Sequence, residues 1–178
     1  RSGNVLESQA KASEPFLEID KRLGFHSRVA ISFHRQGEFS LGYYDNNAKP
    51  YKVIDGQYAW KTRFVHAGLK WKLPSDFSIL AQYLRGDTLM QSPDKIDMVN
   101  NDYNSGFVLL SKKITSYRAS LRLEKFSVTD NDLTPGDDNN EEGKSATFNL
   151  SKRISAHWFL SAEYLWLDSK RPSRQYVG

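Results

Sequence analysis

The residues best suited to chemistry in this sequence are charges set at alternate positions among apolar or small neighbours. They are Arg28, Glu38, Lys61, Arg63, Arg118, Arg122, Glu124, Arg153 and Glu163. The chemistry open to them is electrostatic. Gathered on the wall of a pore, six bases and three acids favour anions, because pore charge replaces part of an ion's hydration shell. The competing role is structural: Arg118, Arg122 and Glu124 can pair along the wall and hold a sheet together.

Other chemistry finds little footing. Cysteine is absent, so there is no disulfide and no thiolate metal site. His26, His34, His66 and His157 lie at no metal-ligand spacing from one another, and no metal is expected. There is no Gly-x-Ser-x-Gly elbow and no Gly-rich phosphate loop. A Ser–His–Asp triad assembled across strands has no signature in one sequence. The chain is therefore not expected to be an enzyme, nor to carry a cofactor. Asp138-Asn139-Asn140-Glu141-Glu142-Gly143 resembles the front of a calcium loop, but the twelfth position is Asn149 where such loops place Glu. A hydrated acidic loop is the expectation there.

The elements that must position these charges are strands. Four pairs of alternating runs can be read. The first is Ser27–Gln36 with Glu38–Asp45 around Gln36-Gly37, and the second is Tyr58–Leu73 with Phe77–Arg85 around Pro74-Ser75-Asp76. The third is Ser105–Ile114 with Tyr117–Val128 around Thr115-Ser116, and the fourth is Ser145–Ile154 with Trp158–Asp168 around Ser155-Ala156-His157. In the eighth run Trp158, Leu160, Ala162, Tyr164 and Trp166 alternate with Phe159, Ser161, Glu163 and Leu165. Such period-two repetition means antiparallel β-hairpins. Lys61 and Arg63 precede Val65, Ala67, Leu69 and Trp71 in one register while Trp60 and Phe64 occupy the other, so a bulge near Phe64 is expected. Between hairpins lie polar connections at Asn46–Gln57, Gly86–Asn104 and Thr129–Lys144. Residues 1–25 read as a further outer loop, with a possible short strand at Phe16–Ile19, and 169–178 as the start of another loop.

At 178 residues the chain suits one domain. Its mean hydropathy of −0.62 and the lack of a long apolar run exclude a transmembrane helix. They do not exclude a barrel, whose strands need only alternate apolar residues. A net charge of +4 is too weak to indicate nucleic acid. Runs of about 9–15 residues exceed the roughly 5–6 of soluble sheets. Aromatics gather near run ends, at Tyr43, Tyr44, Tyr58, Trp60, Trp71, Tyr83, Tyr117, Trp158, Tyr164 and Trp166, as interfacial girdles require. Short turns on one side and long loops on the other complete the pattern of an up-and-down transmembrane β-barrel. Two other readings stay open: a non-conducting outer-membrane barrel that binds a partner or ligand through its long loops, and a soluble β-sandwich or ligand-binding barrel, which alternates too.

Five stretches carry a family resemblance: Gly56–Phe64, Ala81–Thr88, Asp138–Lys144, Ala156-His157-Trp158 and Leu167–Pro172. With them the chain, from about Glu14 to Arg174, resembles the C-terminal half of uncharacterised porin-like outer-membrane proteins of Gram-negative bacteria. The resemblance implies a barrel of roughly twice this many strands, set in the bacterial outer membrane and passing small hydrophilic solutes. Its partners would be outer-membrane lipid and those solutes. The chain opens at Arg1 and ends Gln175-Tyr176-Val177-Gly178, without the aromatic-ended closing strand of such barrels, so a piece of a longer protein is expected.

Overall fold

A computed structural model describes residues 17–132 and 134–171, and their regular structure is all β. Eight strands form one antiparallel sheet in which chain neighbours are sheet neighbours: β1 (Phe25–Phe33), β2 (Gly37–Asp45), β5 (Lys61–Lys72), β6 (Phe77–Gln91), β7 (Asp97–Ile114), β8 (Tyr117–Asp130), β9 (Glu141–Arg153) and β10 (Phe159–Lys170). A two-stranded ribbon, β3 (Val53–Ile54) with β4 (Gln57–Tyr58), sits in the β2–β5 connection. The meander order follows the expected hairpins. Closure does not: β1 and β10 each pair with one strand and are not joined, so the sheet is open. Every residue of both edge strands is exposed.

Several boundaries differ from the sequence reading. The first turn is 34–36, with the Gln36 amide donating to the Phe33 carbonyl at 2.8 Å, and Gly37 already belongs to β2. Tyr58 falls in the small ribbon instead of heading β5. The polar connection at Gly86–Asn104 is mostly strand, since β6 runs to Gln91 and β7 begins at Asp97. Likewise β8 runs to Asp130, β9 starts at Glu141, and Ser169 and Lys170 belong to β10. The reason is that ladder hydrogen bonds are made by the backbone, which keeps pairing after apolar alternation has stopped. Of the expected outer segment, residues 1–16 lie outside the described part, and 17–24 hold no strand.

No bulge occurs near Phe64. The register runs unbroken from Lys61↔Leu89 through Phe64↔Gly86 to Lys72↔Ser78, and the irregularity in that pair of hairpins falls at Met90/Gln91. Lys61 and Arg63 share a face with Val65, Ala67, Leu69 and Trp71, because side chains alternate strictly. The change from charge to hydrocarbon is a change of height along one face, so no bulge is needed.

The sheet buries almost nothing. Among the described residues Ala59 and Met90 are the buried apolar ones, and no side chain is fully enclosed. A soluble sheet of this size would cover its apolar face with a second layer. Here Val29 is 72% exposed, Leu123 55% and Tyr164 68%.

Candidate functional site

Following cross-strand partners through all eight strands assigns each side chain to one of two faces. One face is apolar over its middle. One row across it reads Ile31, Phe39, Leu69, Ala81, Val108, Leu123, Ala146 and Trp166. Towards the long loops the same face turns charged: Asp45, Arg63, Asp87 and Asp102 share one row.

The apolar band is slanted relative to the strands. On β1 its upper end is Phe25, level with that charged row, whereas on β10 it is Trp166, level with Ile31. A band perpendicular to a barrel axis crosses strands obliquely, since barrel strands tilt by about 35–45°.

Lysines meet aromatic rings at both margins of the band. At the short-turn margin Lys112 Nζ lies 4.6 Å from the Phe77 centroid, and Lys152 Nζ 5.1 Å from that of Tyr117. At the loop margin Lys144 Nζ lies 5.8 Å from Trp166. Each lysine buries its stem against the ring and keeps its ammonium at the polar end, the arrangement that suits an interface between hydrocarbon and water. Of the aromatics expected in girdles, Tyr44 lies on the opposite face, stacked on Phe64 with centroids 4.8 Å apart.

The opposite face is polar but not empty. Of the nine charges singled out above, seven lie there: Arg28, Glu38, Arg118, Arg122, Glu124, Arg153 and Glu163. Lys61 and Arg63 do not; they stand on the apolar face beyond the loop margin of the band, where Arg63 Nη2 is 3.0 Å from Asp87 Oδ1. On the polar face Arg28 bonds Glu38. Arg122 reaches Glu124 along its own strand at 2.9 Å, with its guanidinium 4.2 Å from the Phe107 centroid. Glu163 accepts from Asn149 Nδ2 at 3.4 Å. Arg118 and Arg153 have no ion-pair partner among the described residues.

Spacing along the chain gave no reason to join two of the histidines, yet the register does. His26 on β1 and His66 on β5 face each other across Gly42 of β2, Nε2 to Nε2 at 3.2 Å. Their rings are 21° from parallel with centroids 5.6 Å apart, so they meet tip to tip, one nitrogen donating and the other accepting. Gly42 permits this: a Cβ there would stand 2.2 Å from His66 Nε2.

The acidic connection after β8 is a clasp. Asp130 accepts from the Asp132 and Asn139 amides, and Asp132 from those of Thr134 and Asn100. Burial alone would raise the Asp132 carboxyl, but hydrogen bonds from Thr134 and Asn100 outweigh it and hold the group below its ordinary value. No group of three or more metal-ligating side chains occurs among the described residues.

Comparison with protein-family models, curated proteins and solved structures finds no match to this chain.

Proposed function

We propose that this sheet is a section of the wall of a membrane-spanning β-barrel, and that the complete barrel is a passive channel for small hydrophilic solutes in a bacterial outer membrane. The observation that carries the reading is the uncovered apolar band, slanted as strand tilt requires and edged at both margins by lysine–aromatic pairs. In water each exposed Val, Leu, Ile or Phe side chain forgoes about 1.5–3 kcal/mol of burial. A lipid environment removes that penalty along the whole band. The exposed edges β1 and β10 fit the same reading, because a barrel continues at each edge instead of leaving its backbone groups unpaired.

On this reading the polar face lines the lumen. Its charges then set a mild preference for anions, since Arg28–Glu38 and Arg122–Glu124 cancel and Arg118 and Arg153 outnumber the remaining acid of the set, Glu163. A second reading has an observation of its own: Phe64, Phe107 and Phe126 stand half-buried on the polar face, and such bulk can fill a lumen and leave a binding or structural barrel.

Two measurements decide. Circular dichroism of the purified chain with and without micelles tests the lipid-facing band; a well-folded monomer without detergent would sink it. Planar-bilayer recording of the full-length protein separates the two barrels, stepwise conductance marking the channel and silence the filled barrel.

A further inference from the structure

The turns joining β7 to β8 and β9 to β10 lie side by side and line a half-open cavity of about 770 Å³. Ligand sites typically run to about 300–1,000 Å³. Three cations of the polar face line this one, Lys113, Arg118 and Arg153, with Lys152 reaching its rim from the other face, and no carboxylate among the described residues does. Hydroxyl groups of Ser116, Ser151 and Ser155 complete the polar wall.

Like charges face each other elsewhere in the sheet, Lys125 with Lys144 and Asp87 with Asp102, but there one member is held in an ion pair. Lys113 and Arg118 are direct partners across β7 and β8, on the same face. Side chains so placed have Cβ atoms about 4.5–5.5 Å apart, and like charges there destabilise the sheet. Arg153 stands diagonally beyond, its amide donating to the Ser116 carbonyl at 2.8 Å. None of these three is in an ion pair among the described residues, and the acid next to them along the sheet, Asp76, meets Lys113 through its backbone carbonyl, which accepts from the Lys113 amide at 3.1 Å. An anion seated between them would convert mutual repulsion into charge-assisted hydrogen bonds, and Arg offers planar donors that match two oxygens of one group.

We propose that this cavity binds a soluble polyvalent oxoanion of the phosphate class, with Lys113, Arg118 and Arg153 as its contacts. The site rests on the register of β7 to β10 and not on lipid contact, so a chain that folds without detergent leaves it intact.

The test is calorimetric titration of the full chain, folded in neutral detergent, with pyrophosphate at low ionic strength. Saturable binding is expected, weakened about tenfold or more by Arg118→Gln, the loss of one charge-assisted contact. Arg153→Gln should act likewise, which covers the case in which Arg118→Gln fails to fold. Lys113→Glu separates a ligand site from a structural one: it should weaken binding while raising the thermal midpoint, because it removes a like-charge pair. Arg63→Gln, at the other end of the sheet, should leave binding unchanged. Absence of saturable binding, or equal weakening by Arg63→Gln, overturns the proposal. So does capture of the chain on phosphatidylglycerol vesicles that pyrophosphate does not displace, which would assign the cations to a lipid headgroup.

Discussion

The two ends of the sheet differ in how they treat like charges that face each other across strands. At the loop end like charges face each other too, Asp87 with Asp102 and Lys125 with Lys144, but one member of each is paired: Asp87 with Arg63, and Lys144 with Asp168 at 3.6 Å. The carboxylates of Asp130 and Asp132 are taken up by backbone amides. At the turn end Lys113, Arg118 and Arg153 line one cavity, and none of them is in an ion pair among the described residues. Paired charge in water contributes little beyond holding geometry. Crowded like charge costs stability, and is retained most readily where something binds. The difference separates a region built to stay shaped from one built to attract a ligand, with the apolar band between them.

The largest effect should come from that band. Leu121→Arg places a charge within it and should cost about 2–4 kcal/mol in a bilayer or micelle, if the face meets lipid. In a chain whose face meets water the same change should stay within about 0.5 kcal/mol. Unfolding in detergent reads the difference directly.

At the turn end Thr115 holds φ at +53°, a strained conformation for a β-branched residue. Thr115→Gly should relieve it and raise stability by about 0.5–1 kcal/mol, the left-handed penalty less the added freedom of Gly in the unfolded chain. Equilibrium denaturation checks this; a loss of stability would mean that the hydroxyl matters more than the backbone.

At the loop end a double-mutant cycle on Arg63 and Asp87 should return about 0.2–1 kcal/mol, shrinking with added salt, as for half-exposed pairs. A larger value insensitive to salt would contradict the solvated loop end.

The smallest effect concerns Asp132, whose carboxyl titrates lower in the folded chain than in the unfolded one. Its contribution is therefore full above the ordinary carboxylate range and is lost as pH falls through the folded value. Melting curves of Asp132→Asn and the unaltered chain should differ near neutrality and converge in acid. Divergence on acidification would reverse the sign and remove the clasp.

What the sequence determined by itself was local. Alternation in Tyr117–Glu124 and in Trp158–Trp166 is written residue by residue, because a strand with one apolar face must repeat every second position. Turns such as Thr115-Ser116 could be read where that alternation breaks. Strand ends were less legible, since β6 and β7 keep pairing through Gly86–Gln91 and Asp97–Asn104, where neither face shows a clean apolar alternation and backbone pairing, with Met90 against Val99 and Gln91 bonded to Asp97, continues the ladder. The placement of Lys61 and Arg63, the meeting of His26 with His66, and the gathering of Lys113 with Arg118 and Arg153 were decided by tertiary structure. Each depends on the register between strands far apart in sequence, and a single chain's pattern records which face a residue takes but not which residue it will stand beside.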